Sequence, residues 1–189
     1  MSDGFLTSKR EFSPPLVIGV LSDTHIYPHG RRRLPPQVTA LFARFGCGLI
    51  LHAGDVNTAE TVHELASIAP VIAVTGNNDV GKLQEVAPDR IEFLVGRFRV
   101  AMVHGHGGAS ARSEARRLYA GKVDLVVYGH SHIPMIEVED GTTLFNPGSP
   151  TDRRWQEHFG IGLISFVDDR CKPELILFSD PRELENVKP

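Results

Sequence analysis

A chain of 189 residues, 41% of them hydrophobic, can bury roughly 70% of its unfolded surface and so build a real core. Its 20 Lys+Arg against 23 Asp+Glu leave a formal net charge of -3, which excludes nucleic-acid binding through bulk positive charge. No stretch approaches the roughly 18 apolar residues of a membrane span.

In chain order, residues 1–15 (MSDGFLTSKREFSPP) have no apolar h-region and read as a flexible N-terminal tail rather than a secretory signal. Residues 16–189 read as one domain, with no repeat, linker or internal boundary. Leu16–Leu21 is a buried strand running into Ser22-Asp23-Thr24-His25, and Ile26–Arg33 is a loop. Pro35-Pro36 open a helix with Val38, Leu41, Phe42 and Phe45 on one face, closed by Gly46. Leu49–Ala53 is a short strand that stops at Gly54-Asp55. Asn57 with Glu60 resembles a helix N-terminal box ahead of the stripe Val62, Leu65, Ala66 and Ala69. Val71–Val74 is a strand ending in Gly76-Asn77-Asn78-Asp79.

Beyond Asp79 the pattern changes to β-hairpins. Ile91–Val95 and Phe98–Val103 pair around Gly96-Arg97, which makes the sheet mixed. Phe98–Val103 runs into His104-Gly105-His106-Gly107. Ala111, Ala115, Leu118 and Tyr119 mark a helix, and Val123–Tyr128 is a strand ending in Gly129-His130-Ser131-His132. Ile133–Val138 and Thr142–Phe145 form a second hairpin ending in Asn146-Pro147-Gly148-Ser149. Ile161–Val167 and Glu174–Phe178 are late strands, and Arg182–Val187 suggests a final helical turn. Cys47 and Cys171 belong to no CxxC and no histidine cluster, so they read as small core residues in a reducing compartment, in keeping with a cytoplasmic location.

Five of these strands end in short polar turns, SDTH, AGDV, GNND, HGHG and GHSH, the last four containing glycine. In an α/β sheet, strand ends on one edge are neighbours, so residues far apart in sequence can meet in one crevice. The turns offer Asp23, His25, Asp55, Asn77, His104, His130 and His132: two aspartates, an amide and four histidines, with no thiolate. Oxygen and imidazole donors suit manganese, iron, zinc, nickel or cobalt. Seven donors exceed the needs of one catalytic metal with an open position and match two metals sharing a carboxylate. Two metals about 3.5–4 Å apart clamp a phosphoryl group and hold a water or hydroxide for in-line attack.

The ordered run D-x-H, G-D, G-N-x-D, H-G-H and G-H-x-H, from Leu16 to about Ser149, resembles the calcineurin-like metallophosphoesterase superfamily. The short length, the GNND form and the NPGS turn resemble its small prokaryotic phosphodiesterase branch, which the retromer subunit of eukaryotes also resembles. The resemblance implies an α/β fold of two mixed sheets packed as a sandwich with helices outside, in four layers. It implies one metal on Asp23, His25 and His132, a second on Asn77, His104 and His130, and Asp55 bridging the pair. The cofactors implied are two divalent ions, manganese first. The activity implied is hydrolysis of a phosphodiester, with a small-molecule phosphoester as substrate. A non-catalytic scaffold is the alternative, and a phosphomonoesterase or nucleotide pyrophosphohydrolase a further one; the seven intact donor positions argue against the scaffold.

The chain departs from many members at Asn78, which stands where they have a histidine able to protonate the leaving oxygen. An amide cannot act as an acid near neutral pH. A coordinated water, His106, or a leaving group needing no proton could serve instead, so activated diesters are the expected better substrates. Asp79 reads as orienting its loop, and His52 as a hydrogen-bonded core residue. His29, His63 and His158 read as surface residues. Arg31–Arg33, Arg153 and Arg154 are solvated charges or phosphate contacts at the site's edge. Ser22 and Ser131 lack a free base and are not nucleophiles. The exposed edge of the second hairpin offers one route to a homo-oligomer.

Overall fold

The computed structural model describes residues 7–189; residues 1–6 of the expected tail lie outside the described residues. Two mixed sheets face each other. In the first, Leu16–Leu21 (β2), Leu49–His52 (β3) and Val71–Ala73 (β4) run parallel, while Phe159–Val167 (β10) and Arg170–Phe178 (β11) complete the order β11-β10-β2-β3-β4. In the second, Glu11–Phe12 (β1), Arg90–Val95 (β5), Phe98–Val103 (β6), Leu125–Tyr128 (β7), Met135–Glu139 (β8) and Thr142–Asn146 (β9) take the order β1-β5-β6-β7-β9-β8. β6 and β7 are parallel, so Val103 and Tyr128 finish at the same edge, as Leu21, His52 and Ala73 do in the first sheet.

The alternation of side chains along each strand divides the core into layers. Ile18, Val20, Leu49, Leu51 and Ile72 meet Val100, Met102, Leu125, Val127 and Phe145 between the sheets. On the outer face of the first sheet lie Pro36–Arg44 (α1) and Ala59–Ala66 (α2), which bury Val38, Leu41, Phe42, Val62 and Leu65 against Leu21 and Ile50. On the outer face of the second lies Ala111–Tyr119 (α4), which buries Ala111, Ala115 and Tyr119 against Val126, Tyr128 and Leu144. The expected sandwich with outside helices is the fold observed. Among the described residues no helix is long and apolar enough to cross a membrane.

Local expectations needed four corrections. The stretch 1–15 is not all tail: Glu11 and Phe12 pair in parallel with Leu94 and Val95, and Thr7 N donates to Val71 O at 2.8 Å. The cap of α2 is Thr58, whose Oγ1 accepts from Thr61 N at 3.4 Å, not Asn57 with Glu60. β11 begins at Arg170 rather than Glu174 and passes through Pro173, which an edge strand tolerates because the missing N–H faces outward. A short helix, Lys82–Val86 (α3), follows the GNND turn. The last turn, Pro181–Asn186, is a 3-10 helix capped by Asp180.

Candidate metal centre

The site forms where the carboxyl ends of β2, β3, β4, β6 and β7 face one another. Asp23, His25, Asp55, His130 and His132 all adopt left-handed backbone, with φ between 46° and 64°. Residues with a Cβ rarely do so, and each costs on the order of 1–3 kcal/mol, an outlay that clusters at functional sites. The surrounding bonds hold them there. Asp79 is the clamp: its carboxylate accepts from Asp55 N (2.9 Å), Asn57 N (2.7 Å) and Gly76 N (2.8 Å), so it orients the loop as expected. Asn146 Nδ2 donates to Gly129 O and to Ser131 Oγ, both at 3.0 Å, so the NPGS turn braces the GHSH loop.

Two groups of side chains converge: Asp23 with His25 and His132, and Asp55 with His104 and His130. Within each, one donor atom per residue lies within 4.8 Å of the others. Both groups draw on loops of both sheets. The closer spacings are finer. His25 Nε2 is 3.1 Å from His132 Nε2 and 3.6 Å from Asp55 Oδ2; His104 Nε2 is 3.4 Å from Asp55 Oδ2; His132 Nε2 is 3.4 Å from Asp23 Oδ1. Metal–donor bonds of about 2.1 Å place neighbouring donors of one ion about 3.0–3.4 Å apart. Asp55 Oδ2 is therefore close to a member of each group, the position expected of a shared carboxylate.

The tautomers suit metal binding. His104 Nδ1 is 2.7 Å from Ala53 O, which can only accept, so in the neutral ring Nδ1 bears the proton and Nε2 keeps its lone pair. His132 Nδ1 is tied in the same way to Asp152 O. His104 Nε2 and His130 Nδ1 are buried with no hydrogen-bond partner. Buried polar atoms are rarely left so, and two orphaned imidazole nitrogens beside two carboxylates fit a cation. Burial acts to raise the Asp23 carboxyl, but the neighbouring His132 and His104 hold it below its ordinary value. Burial likewise opposes ionisation of Asp55, which His104 and Asn78 nonetheless hold well below the usual carboxylate range. Both are anions at neutral pH.

Residues 16–169 match the family described as "Calcineurin-like phosphoesterase superfamily domain". The chain belongs to this superfamily. It is 38% identical over 140 residues to a "Probable metallophosphoesterase" of Methanothermobacter thermautotrophicus, covering 72% of this chain and 78% of the relative. It is 28% identical over 144 residues to a phosphodiesterase of Methanocaldococcus jannaschii, covering 69% and 82%. The structure of wild-type Vps29 complexed with zinc, from Entamoeba histolytica, matches with a TM-score of 0.67 at 22% identity, covering 87% of this chain and 100% of that one. That last likeness shows the fold.

Within this calcineurin-like chain the two adjacent amides of the GNND turn are placed differently. Asn78, read as standing in the place of an acid, donates its backbone N–H to Asp55 Oδ1 at 2.8 Å and its Nδ2 to Asp55 Oδ2 at 2.7 Å. Asn77, read as the donor, is exposed. His106 is exposed too, its ring centroid 5.5 Å from that of His104 and 6.4 Å from that of His130. It lines a cavity of about 350 Å³ with Asp89, Arg90 and Glu114. Arg32 is occupied by Asp152 at 3.2 Å, and Arg153 by the carbonyls of Gln156 and Glu157, both at 2.9 Å. Ser22 Oγ lies 2.7 Å from Asp23 Oδ2, so it braces a carboxylate.

The sequence reading took His52 as a hydrogen-bonded core residue but named no partner. It is fully buried, with Nε2 3.1 Å from Thr24 Oγ1, inside the loop that carries Asp23 and His25. Burial pushes its pKa down to about 3. An unfolded histidine titrates near 6.5, so between about pH 6.5 and 3 the unfolded chain binds a proton that the folded chain refuses. Stability is therefore lost as pH falls through that window. From pH 7 to pH 5 this one group should remove about 2 kcal/mol. His25 and His130, also held down by burial, add a slope of the same sign, while His104, held up by Asp55 against its burial, opposes it. Urea unfolding at the two pH values should show a smaller loss for His52→Gln than for the natural chain; equal losses would exclude His52 as a source.

Proposed function

We propose that this chain hydrolyses phosphodiesters with two divalent cations held at the converging strand ends. The observation that supports this best is the pair of donor groups with Asp55 Oδ2 close to both. In this reading Asp23, His25 and His132 hold one cation. His104, His130 and the amide of Asn77 hold the other, and Asp55 is shared. When bound, such a pair polarises a phosphoryl group and brings the pKa of a coordinated water towards 7. The protein residues then have separate tasks. Asp79 fixes the Asp55 loop through three backbone N–H groups. Asn78 holds the Asp55 carboxylate in place rather than supplying a proton. His106, exposed with its ring centroid 5.5 Å from that of His104, is the side chain assigned here to protonate a leaving oxygen. Manganese is put first on the family resemblance, since oxygen and imidazole donors without thiolate suit manganese, iron, zinc, nickel or cobalt alike. Cys47 and Cys171 are free thiols, in keeping with a reducing, cytoplasmic setting.

The test is turnover of bis(4-nitrophenyl) phosphate and 4-nitrophenyl phosphate after EDTA treatment, then after return of manganese, nickel or zinc. Activity should vanish with EDTA, return with metal, and favour the diester. Absence of turnover with every metal would leave the scaffold reading in its place, and faster turnover of the monoester would reverse the substrate preference.

A further inference from the structure

We propose that Trp155 is the platform on which a planar aromatic group of the substrate stacks while its phosphoryl group lies at the donor cluster. This rests on the phosphoesterase reading and adds a substrate class to it: phosphoesters carrying a nucleobase or an aryl ring. Trp155 is the chain's only tryptophan, and it is 98% exposed. A large aromatic side chain so fully in water has no packing role, which makes it informative.

The loop that carries it is tied to the site. Ser149 Oγ donates to Asp23 O at 2.8 Å, and Thr151 Oγ1 to Thr24 O at 2.6 Å. Asp152 O accepts from His132 Nδ1. Arg154 Nη1 reaches His130 O at 3.5 Å, on left-handed backbone with φ of 49°. On the far side of each bond, Asp23 O, Thr24 O, the His132 ring and His130 O belong to a proposed donor residue or its neighbour. Trp155 is three residues on from Asp152, at most about 11 Å of chain. The indole is therefore carried within that reach of the carbonyl that holds the His132 ring.

The chemistry of the neighbours selects the occupant. Residues 153–157 (RRWQE) contain no second apolar side chain, so there is no contiguous patch for a protein surface. An exposed indole next in sequence to Arg154, whose guanidinium reaches His130 O, instead matches a flat ring joined to an anionic ester, since any base or aryl ring presents a π-face for stacking.

Because the chain has one tryptophan, its fluorescence reads the contact without turnover. AMP and phenyl phosphate should quench Trp155 emission saturably, and ribose 5-phosphate, which lacks the ring, should not. In kinetics, Trp155→Ala should raise KM for bis(4-nitrophenyl) phosphate about tenfold with metal content unchanged, and Trp155→Phe should restore most of it. Equal quenching by ribose 5-phosphate, no quenching by either ring compound, or an unchanged KM in Trp155→Ala would overturn the platform. Ring-specific quenching in a chain that turns over no ester with any metal would uphold the platform and sink the hydrolytic reading.

Discussion

Asp55→Asn is expected to empty both cation positions together and to lower turnover of a phosphodiester by at least about a thousandfold. Residues that merely support a ligand cost 10- to 100-fold in metal affinity when removed, so a shared carboxylate should exceed that range. The geometry gives the reason. Asp55 Oδ2 lies 3.4 Å from His104 Nε2 and 3.6 Å from His25 Nε2, one histidine from each group. The substitution keeps the shape but removes the charge that offsets two cations, and the new NH2 group cannot accept one of the two hydrogen bonds from Asn78. His132→Ala should instead release mainly one ion, because His132 belongs to the Asp23 group alone. Metal per chain, measured by elemental analysis after dialysis, separates the cases. Retention of one ion by Asp55→Asn would refute sharing.

Gly76→Ala is expected to damage the same site from outside it. A Cβ at residue 76 would lie 2.0 Å from Asp55 Oδ1 and 2.4 Å from Asp55 N. The second of these is backbone, which cannot swing aside as a long side chain can. Either the GNND loop or the Asp55 loop must move, and Asp79 bonds both. Overpacking of this kind costs about 1–3 kcal/mol, and here it also displaces a carboxylate. The melting temperature and the metal content should fall together. A variant that melts lower yet holds two ions would mean that the loops give way without moving Asp55. Gly129 meets the same constraint in the other sheet, with Ser22 Oγ 2.0 Å and Asp23 Oδ2 2.8 Å from where its Cβ would stand.

Six of the seven proposed donors stand out in the sequence because each sits at the end of a buried apolar run, and the structure brings these six into two groups. The seventh, an amide, is harder to read. Asn77 and Asn78 are adjacent and chemically identical, and which one turns towards Asp55 depends on how the loop pivots on Asp79. The α2 cap failed for a related reason. Asn57 has a capping side chain, but its amide donates to Asn78 O at 2.5 Å and its backbone N–H to Asp79, so the cap passes to Thr58. β1 was hidden because its two residues gain their partners from β5, more than 80 positions later, and nothing local marks them as a strand. His52 behaved as a buried hydrogen-bonded histidine; only the fold could show that its partner, Thr24, lies inside the Asp23–His25 loop.

The sharing of each donor group between the two sheets has a mechanical consequence. A cation seated in either group would act as a rivet through the sandwich, and both rivets lie on the same edge. Sliding one sheet against the other would stretch every donor distance at once. The apolar layer between the sheets, with Val20, Leu51, Val127 and Phe145 near its centre, then serves as the spacer that sets the gauge of the site. Ion affinity in this fold is a readout of how well two greasy surfaces interlock, some distance from any residue that touches the ion.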